Sequence, residues 1–298
     1  MTIQIANAPV SWAIYEFSDI EQKYTYQRVL DEIAETGYVG TELGPWGFLP
    51  TDAETLAGEL EKRGLSMVSA FVPINFLDTD SIEIGEEQAL TVGRLLAALG
   101  ASVLILADDG GKVPELVAQA GRRRGSWLSA ADWDDYAENV NRVARRVYDG
   151  LGLKSTFHHH CAGYVETPDE TAHLMDRTDL ELVGLCLDTG HWLYAGGDPL
   201  KAVKEYGGRI NHVHFKDCDS NIRQLAIDEK LNYFQAVQAG VFSELGQGSV
   251  NFPDLVTVLK RLDYDGWITV EQDVLTDDLD APRHSARHNR EYLRKVGL

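Results

Sequence analysis

The sequence predicts a (β/α)8 barrel, with residues 1–298 forming a single domain. Three observations predict it. Short apolar runs alternate with amphipathic stretches eight times along the chain, as expected of eight parallel strands joined by helical crossovers. Several runs are continuous in Val, Ile and Leu, the pattern of strands covered on both faces. No GxGxxG or GxxxxGK[ST] loop follows an early strand, which disfavours the runner-up, an open doubly wound sheet.

The elements follow in order. Residues 3–6 form the first strand and 26–35 the first helix. Strand two covers 40–43, and the helix over 53–63 stops at Gly64, glycine being favoured just past a helix C-terminus. Strand three covers 66–71, and the helix over 86–99 ends at Gly100. Strand four is 102–106, followed by a long helix over 130–148 that ends near Gly150. Strand five is 154–158, and the next helix, 168–175, has Thr167 as its N-cap. Strand six (183–187), a helix over 199–206, strand seven (210–214), a helix over 253–262, strand eight (267–271) and a helix over 285–295 complete the alternation. Two connections are long, 72–85 and 217–251. In a barrel both lie on the C-terminal face, where active sites form.

Composition narrows the function. Charged residues are 25% and the hydrophobic set 44%, ordinary for a soluble globular domain. The formal charge of −20, from 27 basic against 47 acidic residues, argues against a nucleic acid or an anionic membrane as partner. Arg122-Arg123-Arg124 is the strongest basic run and is expected in a solvated loop. Cys161, Cys186 and Cys218 show no CxxC spacing, which speaks against a disulfide framework or a thiolate zinc site. Cys186, inside an apolar run, reads as a small core residue. The start Met1-Thr2-Ile3-Gln4-Ile5 lacks signal-peptide features, and no apolar run reaches transmembrane length. A cytoplasmic protein is expected.

The polar residues at strand ends point to chemistry. His158, Asp188, His214 and Glu271 each close an apolar strand, and Glu42 does nearly the same on strand two. Side chains alternate along a strand, so His212 shares a face with His214, and His158 with His160. His159 faces the other way and is expected to be structural. Any one of these residues alone reads as a rim hydrogen bond, a turn residue or a solvated charge. Converging in one barrel mouth, the carboxylates would be costly to bury without a cation. A histidine and carboxylates from separate strands suit a divalent cation that activates a carbonyl or hydroxyl.

The segments Asp-Thr-Gly-His (188–191), His-Val-His-Phe-Lys-Asp (212–217) and Gly-Trp-Ile-Thr-Val-Glu-Gln-Asp (266–273) resemble the xylose-isomerase-like TIM barrels. Within that superfamily, Phe-His-His-His (157–160) and Glu-Thr-Pro-Asp-Glu (166–170) resemble the inosose dehydratase branch, as do Ala-Pro-Val-Ser-Trp (8–12) and Gly-Thr-Glu-Leu-Gly (40–44). The resemblance covers nearly the whole chain. It implies Mn2+ or Co2+, with Zn2+ or Mg2+ as alternatives, held by Asp188, His214 and Glu271. Epimerase relatives use a Glu at the end of strand five. Here His158 stands there and Glu166 follows, so Glu166 is favoured as the fourth ligand, with His158 as the alternative.

The resemblance also implies a lyase that removes water from a keto-inositol in inositol catabolism. His158, His160 and His191 are the acid/base candidates, and Glu271 could serve as both ligand and base. Lys216 could bind a substrate oxygen or stabilise the enolate, or be a surface charge after its strand. Glu42, Trp12 and Trp46 could line the sugar pocket, the two tryptophans reading equally as core residues. The implied partner is a small polyol or keto-sugar; a homodimer or homotetramer is compatible with such a barrel. Four rivals stand beside the dehydratase: a sugar isomerase or epimerase, a lyase β-eliminating from 3-keto-glycosides, an endonuclease-like member, and a non-catalytic sugar-binding barrel.

Overall fold

The computed structural model describes residues 3–15, 23–78, 82–109, 111–273 and 278–298. Its strands are β1 (Gln4–Asn7), β2 (Gly40–Thr41), β3 (Ser66–Met67), β4 (Phe71–Ile74), β5 (Val103–Asp108), β6 (Lys154–His158), β7 (Val183–Asp188), β8 (Ile210–Phe215) and β9 (Trp267–Val270). All pairings are parallel, and the order is β3-β2-β1-β9-β8-β7-β6-β5-β4. The two ends of that order are halves of one barrel position. Between them, Val68 N donates to Thr41 O on one side and Ile105 N donates to Ala70 O on the other. The sheet therefore closes on itself, with the third expected strand broken in the middle and extended to Ile74. That extension shortens the long connection expected after it.

The helices are α1 (Tyr26–Glu35), α2 (Ala53–Glu61), α3 (Ile82–Ala98), α4 (Pro114–Gln119), α5 (Ala130–Leu151), α6 (Pro168–Met175), α7 (Thr189–Tyr194), α8 (Pro199–Tyr206), α9 (Ser220–Asp228), α10 (Tyr233–Gln238), α11 (Phe252–Arg261) and α12 (Ala281–Lys295). Side-chain caps set most of their starts. Ser129 and Asp132 make a reciprocal capping box on α5, and Thr167 with Glu170 makes one on α6. The eight expected helices are present, with shifted ends: α3 begins at Ile82 and α12 at Ala281. The short helices α4, α7, α9 and α10 were not expected. They are one or two turns long, too short for a periodic apolar stripe to stand out. No helix among the described residues is long and apolar enough to cross a membrane. All three cysteines are buried and free.

The main core lies between the strands and the outer helices. A second apolar cluster joins Val117 of α4, Cys161 and Ala162 after β6, Tyr194 of α7, and Tyr233 and Phe242 of the long segment after β8. It forms a roof over part of the barrel mouth. Asp217 fastens this segment. Its carboxylate accepts from the backbone N–H groups of Cys218, Gly246, Gly248 and Val250 at 2.8–3.0 Å. Gly248 approaches so closely that an added Cβ would lie 2.3 Å from Asp217 Oδ1. Asp217→Ala strips four backbone donors of their acceptor at once and is expected to destabilise the fold by about 3 kcal/mol, measured by urea unfolding.

Candidate active site

Register brings the site residues together. Asp188 pairs with His214 and Cys186 with His212 between β7 and β8, while His158 pairs with Cys186 between β6 and β7. Glu271 follows β9 directly, and Thr269 pairs with His214. With a period of two, Asp188, His214 and Glu271 all turn toward the barrel axis. His158, Asp188, His214 and Glu271 each offer a donor atom, all within 4.8 Å of one another.

Asp188 serves two structures at once. Its Oδ1 accepts from His191 N at 2.8 Å and caps α7. That contact aims Oδ2 at His158 Nε2 (3.7 Å) and His214 Nδ1 (3.9 Å). His214 Nδ1 also lies 3.3 Å from Glu271 Oε1. Among the described residues, Asp188 Oδ2, His214 Nδ1 and both ring nitrogens of His158 are buried without a hydrogen-bond partner. Orphaned polar atoms of this kind cost roughly 1–3 kcal/mol each. Their convergence on one point, with two imidazoles and two carboxylates, fits a divalent cation.

Lys216, placed by β8, is buried rather than on the surface. Its Nζ lies 2.9 Å from Asp273 Oδ2, 3.2 Å from Glu271 Oε2, 3.6 Å from Asp188 Oδ2 and 3.1 Å from His191 Nε2. It also sits 5.1 Å above the Phe242 ring. Burial opposes its charge, but Asp273, Asp188 and Glu271 outweigh it and hold the ammonium form. The imidazoles go the other way. Burial, reinforced by neighbouring positive groups, lowers His158 and His191 well below the usual histidine range and pulls His160 down to about 4. His214 differs: burial opposes its charge, but Cys186, Glu271 and Glu42 outweigh it and raise the ring well above the usual histidine range. The pocket thus holds neutral His158, His160 and His191 rings beside the charged Lys216 amine.

His160 Nδ1 lies 2.6 Å from Cys161 O. A carbonyl only accepts, so Nδ1 carries the proton and Nε2 has the lone pair. The His160 and His191 ring centroids are 4.1 Å apart. His159 faces outward from the donor group: its Nε2 accepts from Asp188 N at 3.2 Å, and its ring meets Trp192 edge-on.

Four expected placements change. Glu166 is not in the donor group; His158 takes the fourth position. Glu166 accepts from Gly121 N and Ala162 N, both at 2.8 Å, and lies 3.4 Å from Arg123 Nη2. Arg123, expected in a solvated loop, is buried against Glu166 and Glu170 because those carboxylates need a cation. Trp12 is wholly buried, and its indole N–H donates to Glu32 Oε2 on α1 at 2.7 Å, which selects the core over the sugar pocket of its two expected places. Glu42 lies inside the barrel, its Oε1 2.8 Å from His212 Nε2 and 3.0 Å from His214 Nε2. Trp46 is 47% exposed on the turn after β2. Asp273 and Tyr233, whose hydroxyl donates to Asp273 at 3.4 Å, were not expected in the site. Asp273 could have been found as the second acid two positions beyond Glu271; Tyr233 carries no local signal.

The family model of the xylose isomerase-like TIM barrel matches residues 30–296. Proteins named inosose dehydratase are similar over nearly the full chain. One from Clostridium botulinum (strain Alaska E43 / Type E3) is 30% identical, covering 98% of this chain and 97% of its own. This chain belongs to the inosose dehydratase family of xylose isomerase-like TIM barrels. A Bacillus cereus (strain AH820) inosose dehydratase is 32% identical, covering 91% of this chain and 89% of its own. Among solved structures, the probable 3-DHS dehydratase of petrobactin synthesis from Bacillus anthracis has a TM-score of 0.71 at 16% identity, covering 98% and 99% of the two chains. The E. coli 3-keto-D-glucoside 4-epimerase has a TM-score of 0.69 at 16% identity, covering 99% and 100%. At that identity the two structures share the fold with this family member.

Asp188→Ala and His214→Ala are expected to lose bound metal in elemental analysis, whereas Glu166→Gln keeps it and loses about 3 kcal/mol of stability from the weakened buried pair. Asp108 ends β5 and accepts from Tyr164 N, tethering the turn after His160. Burial pushes its carboxyl up to about 7 despite that donor. The unfolded chain releases this proton near pH 4 and the folded chain near 7. Stability is therefore lost as pH rises through that window. Asp108→Asn is expected to gain stability relative to wild type between pH 4 and 7, by up to about 4 kcal/mol, read from unfolding curves at pH 5 and pH 8.

Proposed function

We propose that the chain is a cytoplasmic, metal-dependent hydro-lyase that dehydrates a keto-inositol. The observation that carries this reading is the match, over nearly the full length of both chains, to proteins named inosose dehydratase. The site geometry supplies a reason. His158, Asp188, His214 and Glu271 would hold the cation; their mixed nitrogen and oxygen donors suit Mn2+ or Co2+. When bound, the cation supplies Lewis acidity for the negative charge that develops on the ketone oxygen.

The remaining residues move the protons. His160 keeps Nδ1–H on the Cys161 carbonyl, so its Nε2 lone pair takes the proton α to the carbonyl. Lys216, held as an ammonium by Asp273, gives a proton to the β-hydroxyl as its C–O bond breaks. His191 lies against both groups and returns a proton from His160 to Lys216. One C–H and one C–O bond break, the lost proton and hydroxide leave as water, and no oxidant is needed. Tyr233 and Phe242 roof the imidazoles and limit access of water.

With 2-keto-inositol as substrate, metal-loaded wild type is expected to form an absorbing dione. His160→Gln and Lys216→Met are each expected to lower kcat by about 10²- to 10⁴-fold while retaining metal. A wild type that exchanges the α-proton of ketohexoses with solvent but releases no water from any keto-inositol would favour the epimerase reading instead.

A further inference from the structure

The polar residues at the barrel axis fall into an open set and a closed set. Asp188 Oδ2, His214 Nδ1 and the His158 nitrogens are without hydrogen-bond partners, as described above. One layer deeper, the groups complete each other. Glu42 Oε1 lies 2.8 Å from His212 Nε2 and 3.0 Å from His214 Nε2, and His212 Nε2 also reaches Thr269 Oγ1 at 3.2 Å. Glu42 is 2% exposed, and both rings are fully enclosed. His214 is the one residue that belongs to both sets.

A carboxylate accepts, so a ring nitrogen beside it must carry hydrogen. Glu42 Oε1 lies 3.0 Å from Nε2 in a formed hydrogen bond, whereas Glu271 Oε1 lies 3.3 Å from Nδ1 without one, so Glu42 selects the Nε2–H form of His214. A ring that gives a lone pair to a cation carries one proton, and with that proton kept on Nε2 the lone pair is on Nδ1, on the side of Asp188 and Glu271. We propose that Glu42, itself held by His212, is a positioning residue that turns His214 so that Nδ1, and not Nε2, faces the cation. The inference rests on the cation reading of the preceding subsection and assigns Glu42 no contact with substrate. His212 provides the second donor that keeps the Glu42 carboxylate between the two rings. The Glu42 side chain comes from β2, on the far side of β1 and β9 from β8, so the ring of a β8 residue is oriented from across the barrel.

The test uses full-length protein stripped of metal and titrated with Mn2+ or Co2+ against a chromophoric chelator. Glu42→Ala is expected to weaken cation affinity roughly 10- to 100-fold. Glu42→Gln and His212→Asn are expected to weaken it several-fold, with KM for the ketone unchanged at saturating metal. Long-range 1H–15N spectra of Zn2+-loaded protein read the tautomer directly: wild type shows His214 protonated at Nε2 and shifted by the metal at Nδ1, and the variants show a mixture. If Glu42→Ala does not fold, the other two variants carry the test.

Unchanged affinity and an unchanged tautomer in Glu42→Gln and His212→Asn would overturn the proposal. So would a raised KM with unchanged metal binding, which returns Glu42 to the substrate. Two cations per wild-type chain falling to one in the Glu42 variants would also overturn it, by making the deeper trio a ligand set. A wild type that takes up no cation at all defeats the metal reading itself, a distinct result.

Discussion

Three carboxylates, those of Asp188, Glu271 and Asp273, gather at the mouth of one closed barrel with a fourth, Glu42, one layer below, where little water reaches them. Burying that much like charge is untenable without compensation. Lys216 answers part of it by touching Asp188, Glu271 and Asp273. The N–H groups of His191, His212 and His214 answer another part. Among the described residues, Asp188 Oδ2, His214 Nδ1 and the His158 nitrogens are left facing each other without hydrogen-bond partners. The molecule is arranged around that buried negative charge.

Compensation also divides the labour of the imidazoles. Burial favours the neutral form of His158, His160 and His191, and the Lys216 ammonium strengthens the effect, whereas the carboxylates around His214 raise it. A fixed cation beside neutral rings separates a proton donor from proton acceptors within hydrogen-bonding distance. The same principle governs pairs of titratable groups whose environments push them apart. The roof formed by α4, α9, α10 and the turn after β6 keeps the dielectric low enough for this difference to persist. Asp217, Glu166 and Asp108 fasten that roof by accepting backbone N–H groups, so acidic residues outside the mouth serve structure.

Much of this was legible along the chain. Eight strand–helix alternations, strand ends at His158, Asp188, His214 and Glu271, and the Thr167 cap are local patterns that depend on neighbours a few positions away. Glu166 shows where that legibility stops. It lies in the sequence close to a ligand-bearing strand and carries the right chemistry, yet Gly121 N, Ala162 N and Arg123 draw it to the opposite side of its turn. Trp12 is similar: an aromatic residue near a strand end could line a pocket, but the partner for its indole lies on α1.

The amino-acid order by itself determined the barrel, its strand ends and the kinds of donor atoms found there. Side-chain alternation and helical periodicity are properties of a few consecutive residues, so these features are written locally. Tertiary structure decided which carboxylate joins the donor group of His158 and His214 and which one faces a backbone amide. It also decided that Glu42 reaches two histidines from across the barrel and that Lys216 is enclosed. Those outcomes depend on which distant group supplies the missing hydrogen bond or counter-charge, and only closure of the barrel brings such groups within reach.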